Sequence, residues 1–167
     1  MRLLLATIAV LLLAGCGTLP YTPMEYPLRD GLIASMPVNG TPQVTNGQAQ
    51  TSPVIVYSYG GTKLSSDLHA ITEAMVQQTS KELAKAAQPS QGAPKTIELK
   101  VHSLVSRYSA FFWKSNLRFE ATLGNGEVVA MTVPHSSGVM LQDLNGCIAE
   151  SVMKLLNDPR VRAYLAS

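Results

Sequence analysis

The first seventeen residues constrain this chain more than any other stretch. Met1-Arg2 supplies one positive charge, Leu3 to Leu13 form an apolar run, and Leu13-Ala14-Gly15-Cys16 follows at once. A short basic start, an apolar core and a small-residue cleavage site predict a bacterial lipoprotein signal peptide. A membrane-spanning helix needs roughly 20 apolar residues, and this run stops short, at small residues followed by Gly17 and Pro20. Residues 1–15 are therefore expected to be removed by cleavage between Gly15 and Cys16. The Cys16 thiol is the group in the segment nucleophilic enough to take a diacylglycerol, and the new N-terminus would take a further acyl chain. Each buried CH2 adds ~0.8 kcal/mol of membrane affinity, so a bilayer is the first expected partner and no other cofactor is implied.

Composition narrows the remainder. With Arg2 removed, 12 Lys and Arg face 11 Asp and Glu. At this net charge no electrostatic argument favours nucleic acid or an anionic membrane surface. Residues 16–167 suffice for one domain with one modest core. Acylation of Cys16 leaves Cys147 without an intramolecular disulfide partner, and its position on a helical apolar stripe predicts a small buried residue.

Residues 16–52 read as a lipid-anchored segment rich in Pro, Gly and Thr. Pro20, Pro23 and Pro27 forbid a helix, so 17–29 is expected to be an extended tether reaching ~40 Å at ~3.3 Å per residue. An apolar stretch at 32–38 could add an edge strand, and the rest of the segment reads as loop. The folded domain is expected over 53–167. Val54 to Tyr59 is β-branched and aromatic and closes at Gly60-Gly61, the pattern of a strand and its breaker. A helix capped by Ser65 or Ser66 should follow, with Leu68, Ile71, Met75, Thr79, Leu83 and Ala86 on one face.

Two alternating strands come next, Thr96 to Val105 and Leu117 to Leu123, separated by an expected break at 107–114. Asn125-Gly126 signals a hairpin. With a two-residue loop, Leu123, Ala121 and Phe119 would face Val128, Ala130 and Thr132, leaving Val129, Met131 and Val133 as a second apolar stripe that needs a cover. A helix bearing Leu141, Leu144, Ile148, Val152 and Leu155 follows. Asp158-Pro159 then caps a last helical turn. The expected fold is α+β: a single two-layer domain, a mixed sheet of about four strands with two helices on one face, in the order β-α-β-β-β-α.

This order behind a lipobox, with the terminal Leu155-Leu156-Asn157-Asp158-Pro159-Arg160-Val161 stretch, resembles three groups of small envelope lipoproteins. They are the YajG-like family, the auxiliary lipoproteins of lipid-transporting ABC systems and, more distantly, the lipoprotein plug of the lipopolysaccharide assembly pore. Gly17 after the cysteine resembles the pattern of proteins sorted to the outer membrane. The resemblance implies a periplasm-facing outer-membrane lipoprotein, and it carries over no catalytic residue.

Enzyme motifs are absent from the sequence: there is no Gly-x-Ser-x-Gly, no His-Glu-x-x-His and no Walker loop. His69, His102 and His135 lack metal-ligand spacing, and Asp67, Asp143 and Asp158 sit where caps and solvated faces are expected. The informative cluster is 108–113, which holds four of the ten aromatic residues: Tyr108, Phe111, Phe112 and Trp113. They either complete the core or, flanked by Arg107 and Lys114, face a protein partner or lipid headgroups. Together with Val129, Met131 and Val133 they are the candidate interaction surface. The expected function is a non-enzymatic accessory or interaction subunit of an envelope assembly or lipid-transport system with an envelope protein partner. A lipid-binding module holding an acyl chain between helices and sheet is the alternative.

Overall fold

A computed structural model describes residues 17–167, the side chains of Pro89 and Ser90 excepted. Cys16 and the Gly15–Cys16 cleavage flank lie outside the described residues. The elements in chain order are β1 (Thr18–Pro20), β2 (Met36–Asn39), β3 (Pro42–Asn46), β4 (Pro53–Tyr59), β5 (Thr62–Asp67), α1 (Leu68–Ala86), β6 (Ala87–Ser90), β7 (Lys95–Ser109), β8 (Phe112–Leu123), β9 (Val128–Ser137), α2 (Met140–Asn157) and α3 (Pro159–Ala166). The architecture is α+β with the helices over one face of a mixed sheet. That sheet has seven strands rather than about four, in the order β1-β5-β4-β7-β8-β9 with β3 also paired to β7.

The extra strands have identifiable causes. Gly60 and Gly61 both adopt positive φ, 57° and 83°, the requirement of a two-residue hairpin turn. The pair thus reverses the chain into β5, where a helix start was expected, and β5 pairs antiparallel with β4. Ser65 and Ser66 are held in that ladder, so the cap of α1 falls to Asp67, whose Oδ1 accepts from Ala70 N at 2.6 Å. The two central strands also run longer than expected. β7 and β8 pair, with a bulge at His102, out to Ser109↔Phe112, and the expected break at 107–114 is a hairpin tip, with Ala110 and Phe111 at φ 49° and 72°.

At the opposite end of the sheet, Leu123 N donates to Glu127 O. The connection is therefore three residues, Gly124-Asn125-Gly126, with Gly126 in the left-handed region at φ 87°. This shifts the register by one from the expected pairing, to Ala121↔Val129, Phe119↔Met131 and Leu117↔Val133. A one-residue slip exchanges the two faces of a strand. Val129 and Val133 consequently point into the core with Leu117, Phe119 and Ala121, and α2 packs over them. Val128, Ala130 and Thr132 face solvent.

The segment expected as a tether is packed on the domain. β1 pairs parallel with β5, and Tyr21 is buried, its hydroxyl donating to Asn145 Oδ1 at 2.6 Å; Met24 N donates to the same oxygen at 3.1 Å. Prolines exclude helix but not edge strands, and a buried aromatic ring makes the difference between tether and strap. The 32–38 stretch does not extend the main sheet. Its end enters β2, which pairs parallel with β6 as a separate ribbon. Arg162 of α3 secures this region by donating to Ala34 O at 3.0 Å and Ser35 O at 2.9 Å. The stretch read as loop contains β3, parallel to the start of β7.

Tyr21→Ala removes both a buried ring and a buried hydrogen bond, so a stability loss of about 3 kcal/mol is expected. Thermal melting checks it, since a free tether would leave the midpoint unchanged.

Candidate interaction surface

The residues singled out in the sequence separate into two groups. Val129 and Val133 are core residues and Met131 is half-buried against them, so this stripe leaves the candidate surface for the reason of register given above. The aromatic cluster divides by strand alternation. Tyr108 and Trp113 face the helix side, where their rings meet at a tilt of 55° with centroids 4.9 Å apart, and Tyr59 meets Tyr108 at 5.1 Å. Phe111 and Phe112 stand in solvent at 83% and 52% exposure, and Tyr59 at 57%. Half of the cluster therefore supports the hairpin and half is presented by it.

Just inside this end lies a group that sequence reasoning missed. Ser106 and Ser115 are paired across β7 and β8. Both hydroxyls donate to Asp143 Oδ2, from Ser106 at 2.6 Å and from Ser115 at a shorter distance. All three residues are buried, so Asp143 is no solvated carboxylate, as expected from its helix-start position, but the hub of an interior cluster. Its place in the first turn of α2 suits a carboxylate, because the N-terminal end of a helix is electropositive. Val139 at the cap position supplies no side-chain bond. The only sequence signal was that Ser106 and Ser115 interrupt apolar stripes, which acquires meaning once the register is known.

The histidines are dispersed among local partners. His69 Nδ1 lies 2.6 Å from Gln48 O, His135 Nδ1 lies 2.8 Å from Glu150 Oε2, and His102 Nε2 approaches Glu120 Oε2 at 3.1 Å on the uncovered sheet face. Burial pushes the Glu150 carboxyl up, but the bonds from His135 and Lys154 outweigh it and hold the group below its ordinary range. Among the described residues no group of three or more His, Cys, Asp or Glu could hold a metal ion. Cys147 is buried as expected, its thiol directed at Val133 O at 3.4 Å. Burial, with Asp143 and Glu150 adding to it, pushes that thiol up to about 12, so it is neutral and poorly nucleophilic near neutral pH.

The volume between helices and sheet is occupied by side chains, Leu99, Leu117, Phe119, Leu144 and Ile148 all being fully buried. Open grooves lie elsewhere. One of about 390 Å³ is bounded by Tyr26, Leu32, Ala149 and Met153, another of about 320 Å³ by Pro42, Val44, Leu83 and Ala87, and a polar cleft of about 430 Å³ by His102, Arg118, Glu120 and Thr132. At the sheet margin, β9 is paired on one side with β8, and among the described residues no strand covers its outer edge.

No family model matches the sequence, and no curated protein is similar to it. The fold is similar to a crystal structure of a protein from Xanthomonas campestris assigned to the family DUF330. The match has a TM-score of 0.54 at 12% identity and covers 83% of this chain and 92% of that one. At this identity the likeness concerns the fold alone.

Asp143→Ala would leave two buried serine hydroxyls without their acceptor, at a cost of about 3 kcal/mol. Asp143→Asn keeps an acceptor oxygen for them and is expected to recover part of that loss; equal melting points for wild type and Asp143→Ala would contradict the assignment.

Proposed function

We propose that this chain is a non-enzymatic lipoprotein, held at the periplasmic face of the outer membrane by acylated Cys16, and that it serves as an accessory or interaction subunit of an envelope assembly or lipid-transport system. The observation that carries the reading is β1. Because Thr18 is already paired in the sheet, a single residue, Gly17, separates the proposed acylation site from folded structure, a span of at most ~7 Å from Cys16 to Thr18. A domain so close-coupled to its anchor would be positioned by it rather than left to swing. Its mechanism would then be placement: the lipid fixes height, the strap from β1 through Tyr21 fixes orientation, and a remaining surface receives the partner.

For the partner, β9 is the best-suited element. An uncovered edge strand presents unpaired N–H and C=O groups, which an extended segment of another protein can complete as an added strand. The polar cleft beside Thr132 adjoins this edge. The alternative, an acyl chain held between helices and sheet, has less support because that space is filled by the core side chains named above.

The test is a photoreactive phenylalanine analogue placed at Thr132 in the full-length protein, crosslinked in its own envelope, with the same analogue at exposed Lys81 of α1 for comparison. Capture of a transporter or assembly-pore component from position 132 and not from 81 is the expected result. Equal capture from both positions, or none from either, would contradict docking on β9.

A further inference from the structure

One continuous row of backbone partners crosses the sheet: Leu19↔Leu64, Leu64↔Tyr57, Tyr57↔Ser106, Ser106↔Ser115 and Ser115↔His135. The row fixes which ends of the strands lie together. β1 begins at Thr18, one residue beyond Leu19. On β7 and β8 the same direction leads through Arg107 and Lys114 to the Ala110-Phe111 turn. The N-terminal start of the described chain and the aromatic tip therefore project from one end of the sheet. The Gly124-Asn125-Gly126 turn lies at the other.

Chain lengths set the relative heights. Arg107 and its partner Lys114 lie at the level of Thr18, and the three residues from Lys114 back to Phe111 carry the tip at most about 10 Å further at ~3.3 Å per residue. Cys16, two residues before Thr18, can reach about 7 Å in that direction. The tip thus stands at the level of the proposed anchor or somewhat beyond it. Laterally, β1 and β7 are three strand spacings apart, about 14 Å, so both can meet one flat surface.

The chemistry of this end is distinctive. Phe111, Phe112 and Tyr59 are exposed, as are Leu19 and, at the start of α2, Val139 and Leu141. Lys63, Arg107 and Lys114 stand among them in solvent, and residues 17–19, 57–64, 106–116 and 134–142 contain no Asp or Glu. The turn also carries strain that the other hairpins avoid. Gly60, Gly61 and Gly126 take the positive φ values there, whereas here Ala110 and Phe111 do so, at roughly 1–2 kcal/mol each for residues with a Cβ. A strained turn that presents a solvent-exposed aromatic ring is a pattern found where presentation itself is used.

We propose that the β7–β8 hairpin tip is a membrane contact: Phe111 and Phe112 enter the interfacial region of the bilayer that holds the Cys16 lipid, while Lys63, Arg107 and Lys114 meet anionic phospholipid headgroups. Aromatic rings at headgroup level and nearby cations are the physical means by which a surface-bound protein adds a second attachment to a lipid anchor. A contact about 14 Å from the anchor adds a second fixed point to the one that the acyl chains and the strap supply. The inference rests on the lipoprotein reading, since it places the tip and the acylated residue in the same bilayer.

The experiment uses full-length protein purified from its own membranes and reconstituted in vesicles of phosphatidylethanolamine and phosphatidylglycerol. Trp113→Phe removes the native tryptophan, whose buried Nε1 has no hydrogen-bond partner, so the change leaves no acceptor unpaired. In that background Phe111→Trp reports the tip and Asn125→Trp reports the opposite end. Position 111 is expected to show blue-shifted emission and quenching by brominated acyl chains, with loss of quenching when phosphatidylglycerol is omitted and salt raised; position 125 should show neither. Intact mass measures acylation separately. An acylated protein whose tip tryptophan is unquenched overturns the membrane contact and leaves the anchor standing, including the case in which the tip instead captures a protein. An unacylated mass overturns the anchor and the inference with it. Unchanged melting temperatures of the tryptophan variants establish that the reporters are read in the folded protein.

Discussion

The pairing register of β8 with β9 governs the rest of the molecule. With the three-residue connection at Gly124-Asn125-Gly126, Val129 and Val133 join Leu117, Phe119 and Ala121 on one face. That face is broad and apolar enough to take α2, and β7 extends it so that α1 packs beside α2. Had the connection been one residue shorter, the same strand would have turned Val128, Ala130 and Thr132 inward and left two valines in water. A hydrogen bond between Leu123 N and Glu127 O thereby decides where both helices go.

Once α2 is seated, its start falls over the Ser106–Ser115 pair, and Asp143 closes the contact with two hydroxyl donors. Both bonds fall on Oδ2, while the buried Oδ1 has no hydrogen-bond partner; the electropositive N-terminal end of α2 lies beside the carboxyl group. Beyond that point the helix layer ends while β7 and β8 continue. The aromatic rings of Tyr108, Trp113 and Tyr59 pack against one another in tilted pairs along this length, and Phe111 and Phe112 remain outside. The exposed tip is thus a direct consequence of strands that outrun their helices.

The strap formed by residues 17–39 is the other feature that gives the domain a direction. β1 on β5, Tyr21 on Asn145, and Arg162 on the carbonyls of Ala34 and Ser35 tie the N-terminal segment to three separate elements. Under the proposed reading, a lipid attached two residues before β1 transmits its position to the sheet through backbone hydrogen bonds. The α+β scaffold does not by itself assign a function, as similarity of fold does not imply similarity of function. What particularises this chain is the chemistry at one end and the open edge at β9.

Periodicity within the sequence was enough to determine α1, α2, the alternating strands β7 and β8, the Asp158-Pro159 start of α3 and the interior position of Cys147, because each depends on neighbours within a few residues. The signal-like segment and the aromatic cluster were likewise legible as composition. Tertiary structure alone decided the pairings: that Gly60-Gly61 turns a hairpin, that proline-containing residues 17–29 form a strap held by a buried tyrosine, that Val129 and Val133 are core, and that Asp143 meets two serines from distant strands. The physical reason is the same in each case. A strand's faces, and the burial of an isolated polar or aromatic residue, are set by which backbone lies beside it, and a local pattern of residues does not contain that neighbour.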